Sequence, residues 1–228
     1  MKLAFLGTGA AFSPERYNGA VVVDGRLLLD GGAPLLPHMH RLGIDPMAIE
    51  ALFVTHFHGD HILGLPPFMF FRGFVGGRSL EVVGPRGVEA RLEELFRLAW
   101  GEDWTEMRER AGISYQEASG PGTAAGVEYE PVRLDHGRMG GTGYRLRIGD
   151  RLLAYAGDSQ ATPPLDRLVD GADVAIVEAT SPAETEVHTS WPEAAALMER
   201  HPGTTFFLNH LFSGEVERAA GDLQVVEV

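Results

Sequence analysis

Thr55-His56-Phe57-His58-Gly59-Asp60-His61 decides how the rest of this 228-residue chain is read. Three imidazoles and one carboxylate follow directly on Ala51-Leu52-Phe53-Val54, an apolar run with the composition of a buried strand. A strand ending in a tight turn directs His56 and His58 to one side. Asp60 and His61 then open a helix and converge on the same space. Imidazole nitrogen and carboxylate oxygen suit zinc, manganese or iron where no thiolate is offered, and the chain has no cysteine. A solvated polar loop is the alternative, but so dense a polar cluster after a buried strand calls for a partner that satisfies it.

Working outward, His136, Asp158, Glu178 and His210 share one property: each follows or ends a short apolar strand. Strands are expected over 126–135, 142–148, 151–156, 174–178 and 205–208, with a helix over 191–200 begun by Ser190 ahead of Pro192. Strand ends at one edge of a sheet gather in space, so these side chains add to the first cluster. The expected assignment gives His56, His58 and His136 to one metal ion and Asp60, His61 and His210 to another, with Asp158 bridging. Two divalent cations, zinc first and manganese or iron as alternatives, would then share a water and clamp the oxygens of a displacement. The reaction class is hydrolysis by a hydroxide held between them.

The first half reads as a strand over 2–6, a hairpin over 20–24 and 27–29, and Asp30 at its end, either a turn residue or an acceptor that orients the histidine loop. A helix is expected over 33–42, with His38 and His40 exposed on it. The apolar stretch 62–71 supplies a core helix, and the aromatic excess to Phe74 is core or a subunit contact that would make a homo-oligomer. A strand over 80–83 and an amphipathic helix over 88–98 follow. Residues 99–115, including Trp100 to Ala111, read as an insertion: a surface helical hairpin or a flap over the substrate.

The length and the absence of any linker-like stretch point to one α/β domain spanning 1–228. Hydrophobic residues make up 44% and charged ones 22%, ordinary for a globular protein, and no apolar run reaches membrane-spanning length. The N-terminus enters strand-like sequence at once without the regions of a signal peptide, so a cytoplasmic location is expected. Lys2 is the only lysine. The net charge of −13 argues against the broad basic surface that grips duplex or tRNA, and makes a large nucleic-acid footprint less expected than a small or terminal one.

His56-x-His58-x-Asp60-His61, then His136, Asp158 and His210, with Asp30 upstream, resemble the successive motifs of the metallo-β-lactamase superfamily across nearly the whole chain. The resemblance implies a four-layer αββα sandwich with a dinuclear site at one edge between the sheets. Within that superfamily the chain looks most like ribonuclease Z and its phosphodiesterase relatives, on the stretches Leu6-Gly7-Thr8-Gly9, Leu134-Asp135-His136, Gly143-Tyr144-Arg145, Ala156-Gly157-Asp158-Ser159, Glu178-Ala179-Thr180 and His188-Thr189-Ser190. It implies that His188 lies beside the metals, paired with Glu178, and protonates the leaving group. The catalytic set on this reading is Asp60, Glu178 and His188.

Two features depart from the ribonuclease Z pattern. Those enzymes carry a long arm that grips tRNA, commonly between the third and fourth motifs, whereas His136 and Asp158 here are only 22 positions apart. The ending after the last histidine, His210-Leu211-Phe212-Ser213-Gly214-Glu215, lacks the usual arginine. The expected activity is therefore a phosphodiesterase acting on a small or single-stranded substrate. A glyoxalase II-like thioester or lactone hydrolase, which shares the metal ligands but does not need His188, is the alternative.

Overall fold

A computed structural model describes residues 1–228. The chain opens with β1 (Lys2–Gly7), β2 (Ala20–Val23), β3 (Leu27–Leu29), α1 (Leu35–Arg41), β4 (Ala51–Phe53), the short α2 (Gly59–Ile62), α3 (Leu65–Val75), β5 (Leu80–Gly84), α4 (Val88–Trp100), α5 (Asp103–Ala111) and β6 (Ile113–Glu117). It continues through β7 (Gly122–Ala124), β8 (Val127–Leu134), β9 (Gly141–Ile148), β10 (Arg151–Tyr155), α6 (Pro163–Val169), β11 (Val174–Glu178), α7 (Trp191–Arg200), β12 (Thr205–Asn209) and β13 (Gln224–Glu227). The strands form a seven-stranded sheet in the order β13-β1-β2-β3-β4-β5-β6 and a six-stranded sheet in the order β12-β11-β10-β9-β8-β7.

Alternation along the strands explains the layering. On β1, Leu3 and Phe5 face the space between the sheets while Ala4 and Leu6 face the helices. On β11, Val174 and Ile176 point inward while Ala175 and Val177 point toward α6 and α7. Such strands are covered on both faces and therefore read as continuous apolar runs in the sequence. Three buried clusters result: one under α1, α3, α4 and α5, one between the sheets, and one under α6 and α7. The arrangement is a mixed α/β sandwich of four layers. Strands β3 to β6 run parallel, as do β10 to β12, so their carboxyl ends meet at one edge of the sandwich. No helix is long and apolar enough to cross a membrane.

Three local features take their form only in three dimensions. Residues 99–115, read as an insertion or flap, include α5, which packs on α3 and sinks Trp104 completely into the first cluster. Trp104 Nε1 donates to the Glu93 carboxylate at 2.8 Å, which satisfies the one polar atom of the ring. His38, expected to be exposed, is buried, with Nδ1 2.7 Å from the carbonyl of Leu6 and its ring edge-on to Tyr17. A helical spacing alone cannot show which face a neighbouring strand will cover. Of the aromatic stretch, Phe68 and Met69 are core, whereas Phe74 stays exposed.

The α7 start agrees with its sequence signal. Ser190 and Glu193 form a reciprocal capping box, with Pro192 in the first turn. Farther along, Arg200 reaches back to Asp166 on α6 through Nε at 2.8 Å and a second guanidinium nitrogen at 2.9 Å, and His201 adds a contact at 3.1 Å.

Two measurements check these contacts. Trp104→Ala empties a fully enclosed site and should cost about 3–5 kcal/mol in denaturant unfolding. The Arg200 hydrogen bond, joined by that of His201, lowers the Asp166 pKa against the upward push of burial. That pair therefore stabilises the fold above the ordinary Asp pKa, and its contribution disappears as pH falls through the lowered one. Wild type and Arg200→Gln should differ in thermal midpoint at neutral pH and converge on acidification.

Candidate metal centre

Backbone geometry at the meeting edge aims the polar side chains. Asp30, just past β3, and His210, just past β12, both adopt the left-handed region, with φ of 55° and 56°. That conformation is uncommon outside glycine and turns each side chain out of its strand's path into the shared edge. Two glycines permit the close approach around them. A Cβ on Gly32 would lie 1.6 Å from the carbonyl oxygen of Asp60, and one on Gly157 would strike Thr55 at 2.6 Å.

All seven side chains expected at the metals come together. His58 Nδ1 lies 2.9 Å from His56 Nε2 and 3.1 Å from His136 Nε2. His210 Nε2 lies 3.1 Å from Asp60 Oδ2, and His61 Nε2 lies 3.5 Å from the same oxygen. Asp158 stands between the groups. Its Oδ2 is 3.7 Å from His56 Nε2 and 3.6 Å from His136 Nε2, while its Oδ1 is 3.0 Å from His61 Nε2 and 3.3 Å from His210 Nε2. One carboxylate thus turns one oxygen to each trio.

The outer nitrogens fix the tautomers. His56 Nδ1–H donates to Thr55 Oγ1 at 3.0 Å, and that hydroxyl donates to Asp30 at 2.8 Å. The second sheet repeats the device: His210 Nδ1–H donates to Thr180 Oγ1 at 3.0 Å, and Thr180 donates to Glu178. His61 Nδ1–H donates to Asp30 at 2.9 Å, and His136 Nδ1–H to the carbonyl of Val187 at 2.9 Å. Each Nε2 is therefore the ring nitrogen turned inward. Asp30, wholly buried, also accepts from the Thr55 amide and from the Tyr155 hydroxyl, both at 2.8 Å. It is the orienting acceptor, not a turn residue.

Electrostatics agrees with a cation-seeking centre. Burial, aided by His61, drives the His56 pKa down to about 2, and burial with His136 lowers His58, so both rings offer lone pairs. On the other side, burial opposes protonation of His210, but Asp158 and the Asp60 hydrogen bond outweigh it and lift its pKa to about 10. Burial likewise works against the charged forms of Asp60 and Asp158, yet the adjacent imidazoles hold the first to about 2 and the second well below the usual range. His61 Nε2 and Asp158 Oδ1 are buried with no hydrogen-bond partner, close together but not aimed at each other. Atoms converging on a common point in this way fit divalent cations, and the donor set is the nitrogen and oxygen mixture of zinc, manganese or iron sites.

Glu178 and His188 lie against this cluster. His188 Nδ1 is 3.0 Å from Glu178 Oε2 and 3.8 Å from Asp158 Oδ2, and its ring remains partly open to solvent. Burial lowers the His188 pKa, but the Glu178 hydrogen bond and charge more than reverse this, so its imidazolium is favoured.

A family model described as "Anti-Pycsar protein Apyc1" matches residues 1–220. The chain belongs to that family. It is also similar to ribonuclease Z of Limosilactobacillus fermentum, at 26% identity over 291 aligned positions covering 98% of this chain and 91% of the relative. The alignment is longer than the chain itself, so the relative carries segments absent here. Among solved structures, human tRNase Z, short form, matches with TM-score 0.77 and 22% identity over 100% of this chain and 99% of the other. The metallo-β-lactamase fold protein YhfI of Bacillus subtilis matches with TM-score 0.78 and 18% identity over 99% of both. This family member is thus a metal-dependent hydrolase of the metallo-β-lactamase superfamily, in its ribonuclease Z and phosphodiesterase branch.

The supporting groups were only partly foreseeable. Thr55 and Thr180 sit inside the diagnostic stretches, so a threonine beside a ligand or an acid was the available signal. The Tyr155 hydroxyl and the Val187 carbonyl carried none. Asp30→Asn replaces an acceptor by a donor beneath His61 and Thr55. It should weaken divalent-cation binding about 10–100-fold in competition with a chromogenic chelator, with the far-ultraviolet circular dichroism unchanged.

Proposed function

We propose that the protein hydrolyses phosphodiesters, taking a small or single-stranded one, at two divalent cations. His56, His58 and His136 would hold one, Asp60, His61 and His210 the other, and Asp158 both, with zinc the first choice of metal. Bound there, such cations lower the pKa of a shared water and neutralise charge on the phosphoryl oxygens. The remaining steps belong to the chain. Asp30 and Glu178, through Thr55 and Thr180, keep the imidazoles oriented. Asp60 adds negative charge beside His61 and His210.

The observation that carries the phosphodiester reading is the His188–Glu178 pair. With Nδ1–H given to Glu178 Oε2 at 3.0 Å, the other nitrogen of His188 is left to present a proton to the open side of the cluster. An alkoxide leaving phosphorus needs that proton, whereas a thiolate leaving an acyl carbon does not. The similarity to proteins named ribonuclease Z supports the same chemistry. The net charge of −13 and the short connection from His136 to Asp158 support a substrate smaller than a tRNA body.

The leaving group provides the test. On a dinucleotide, whose leaving oxygen is an alkoxide, His188→Ala should lower kcat by about 100-fold or more while metal content is unchanged. On bis-p-nitrophenyl phosphate, whose phenolate leaves unaided, the same variant should lose little. Equal losses on both substrates would refute the acid role. Turnover of a thioester by metal-loaded wild type, with none of any phosphodiester, would favour the glyoxalase II-like alternative.

A further inference from the structure

A second cavity adjoins the metal cluster and has a different electrostatic character. It encloses about 420 Å³ and shares His56 with the cluster. Its walls come from the carboxyl ends of three parallel strands: His56 and Phe57 beyond β4, Pro85 and Arg86 beyond β5, and the 118–120 turn beyond β6. Arg133 on β8 and the turn around Met139 close the far side. The carboxyl ends of parallel strands are where open α/β sheets receive ligands.

Charge singles the cavity out. In a chain of net charge −13, its lining contains two arginines and no aspartate or glutamate. Several arginines elsewhere are paired with carboxylates, as in Arg26 with Glu50, Arg108 with Glu89 and Arg200 with Asp166. The guanidinium groups of Arg86 and Arg133 make no ion pair or hydrogen bond within the protein, so the donors of these two lining residues are free. A larger hollow of about 940 Å³ beside α4 is acidic, lined by Glu89, Glu93, Glu94 and Glu117, and lies away from the histidines. Its Glu93 is already consumed by Trp104, Arg108 and Tyr115.

The cavity is also tied to the cluster mechanically. The Thr142 amide donates to the carbonyl of Thr55 at 3.0 Å, and the Gly140 amide to that of His136 at 2.9 Å. The same turn therefore bounds both spaces.

We infer that Arg86 and Arg133 form a specificity subsite for an acceptor-rich group carried by the substrate beside its scissile phosphodiester, with Phe57 and Met139 as the apolar part of the wall. Guanidinium forks bind a second phosphate or the carbonyl edge of a nucleobase by the same donor geometry. The inference rests on the phosphodiester reading for the identity of the neighbouring group, but its test needs no turnover.

Calorimetric titration of metal-loaded protein with uridine 3′,5′-bisphosphate, uridine 5′-monophosphate and ribose 5-phosphate separates the sources. In Arg86→Met/Arg133→Met, at least one uridine ligand should lose on the order of tenfold affinity relative to ribose 5-phosphate. Loss confined to the bisphosphate identifies a second phosphate as the recognised group, and equal loss for both uridine ligands identifies the base. Arg151→Met, an exposed arginine outside the cavity, should change none of the ratios. An unchanged ratio in the double variant, a uniform fall across all three ligands, or no wild-type binding of any of them overturns the subsite. Persistence of the ratio effect in a protein that hydrolyses no phosphodiester would instead retain the subsite and remove the phosphodiester reading.

Discussion

The carboxylate of Asp158 is the constraint on which the site depends. It leaves β10 at the edge of the six-stranded sheet and enters a cluster supplied mainly from the seven-stranded one, with each oxygen facing a different trio of side chains. A buried carboxylate is tolerable only where positive charge compensates it. The imidazoles can meet that demand with protons, and divalent cations can meet it with larger charge. The two sheets are therefore joined at this edge by charge as well as by the apolar layer between them.

Support for the cluster is duplicated across the two sheets. His56 passes through Thr55 to Asp30, and His210 passes through Thr180 to Glu178. In each case a histidine, a threonine and a buried acid form a chain that fixes a tautomer, and three of the six residues occupy positive-φ or strand-terminal positions, Asp30 and His210 at positive φ and Glu178 at the end of β11. Glu178 serves a second time by holding His188, which places one acid under both a cluster histidine and the group facing solvent. Rigidity at this edge comes from hydrogen bonds that ordinary core packing could not supply.

Much of the site could be read from residues alone because metal ligation imposes unusual demands on side-chain type and spacing. The sequence His56 to His61 compresses four donors after a strand, Asp158 and His210 each follow a mostly buried apolar run, and His136 follows β8, where Val127 and Tyr129 are buried and Glu128 and Glu130 exposed. Other features resisted reading. His38 looked exposed because helical periodicity does not reveal that β1 and Tyr17 cover that face. Trp104 fell in a segment read as either a surface helical hairpin or a flap, and only the packing of α5 on α3 shows that the indole points inward.

By itself, the amino-acid order determined the α/β class, the strand-end positions of the polar residues and the donor types available to a metal, since these follow from local periodicity and side-chain chemistry. Tertiary structure alone decided which oxygen of Asp158 faces which histidines, which hydroxyls and carbonyls fix each ring, and that Arg86 and Arg133 line one cavity. Those relations join residues that are distant along the chain. Their distances are set by how two twisted sheets and their covering helices pack, and no local pattern encodes that packing.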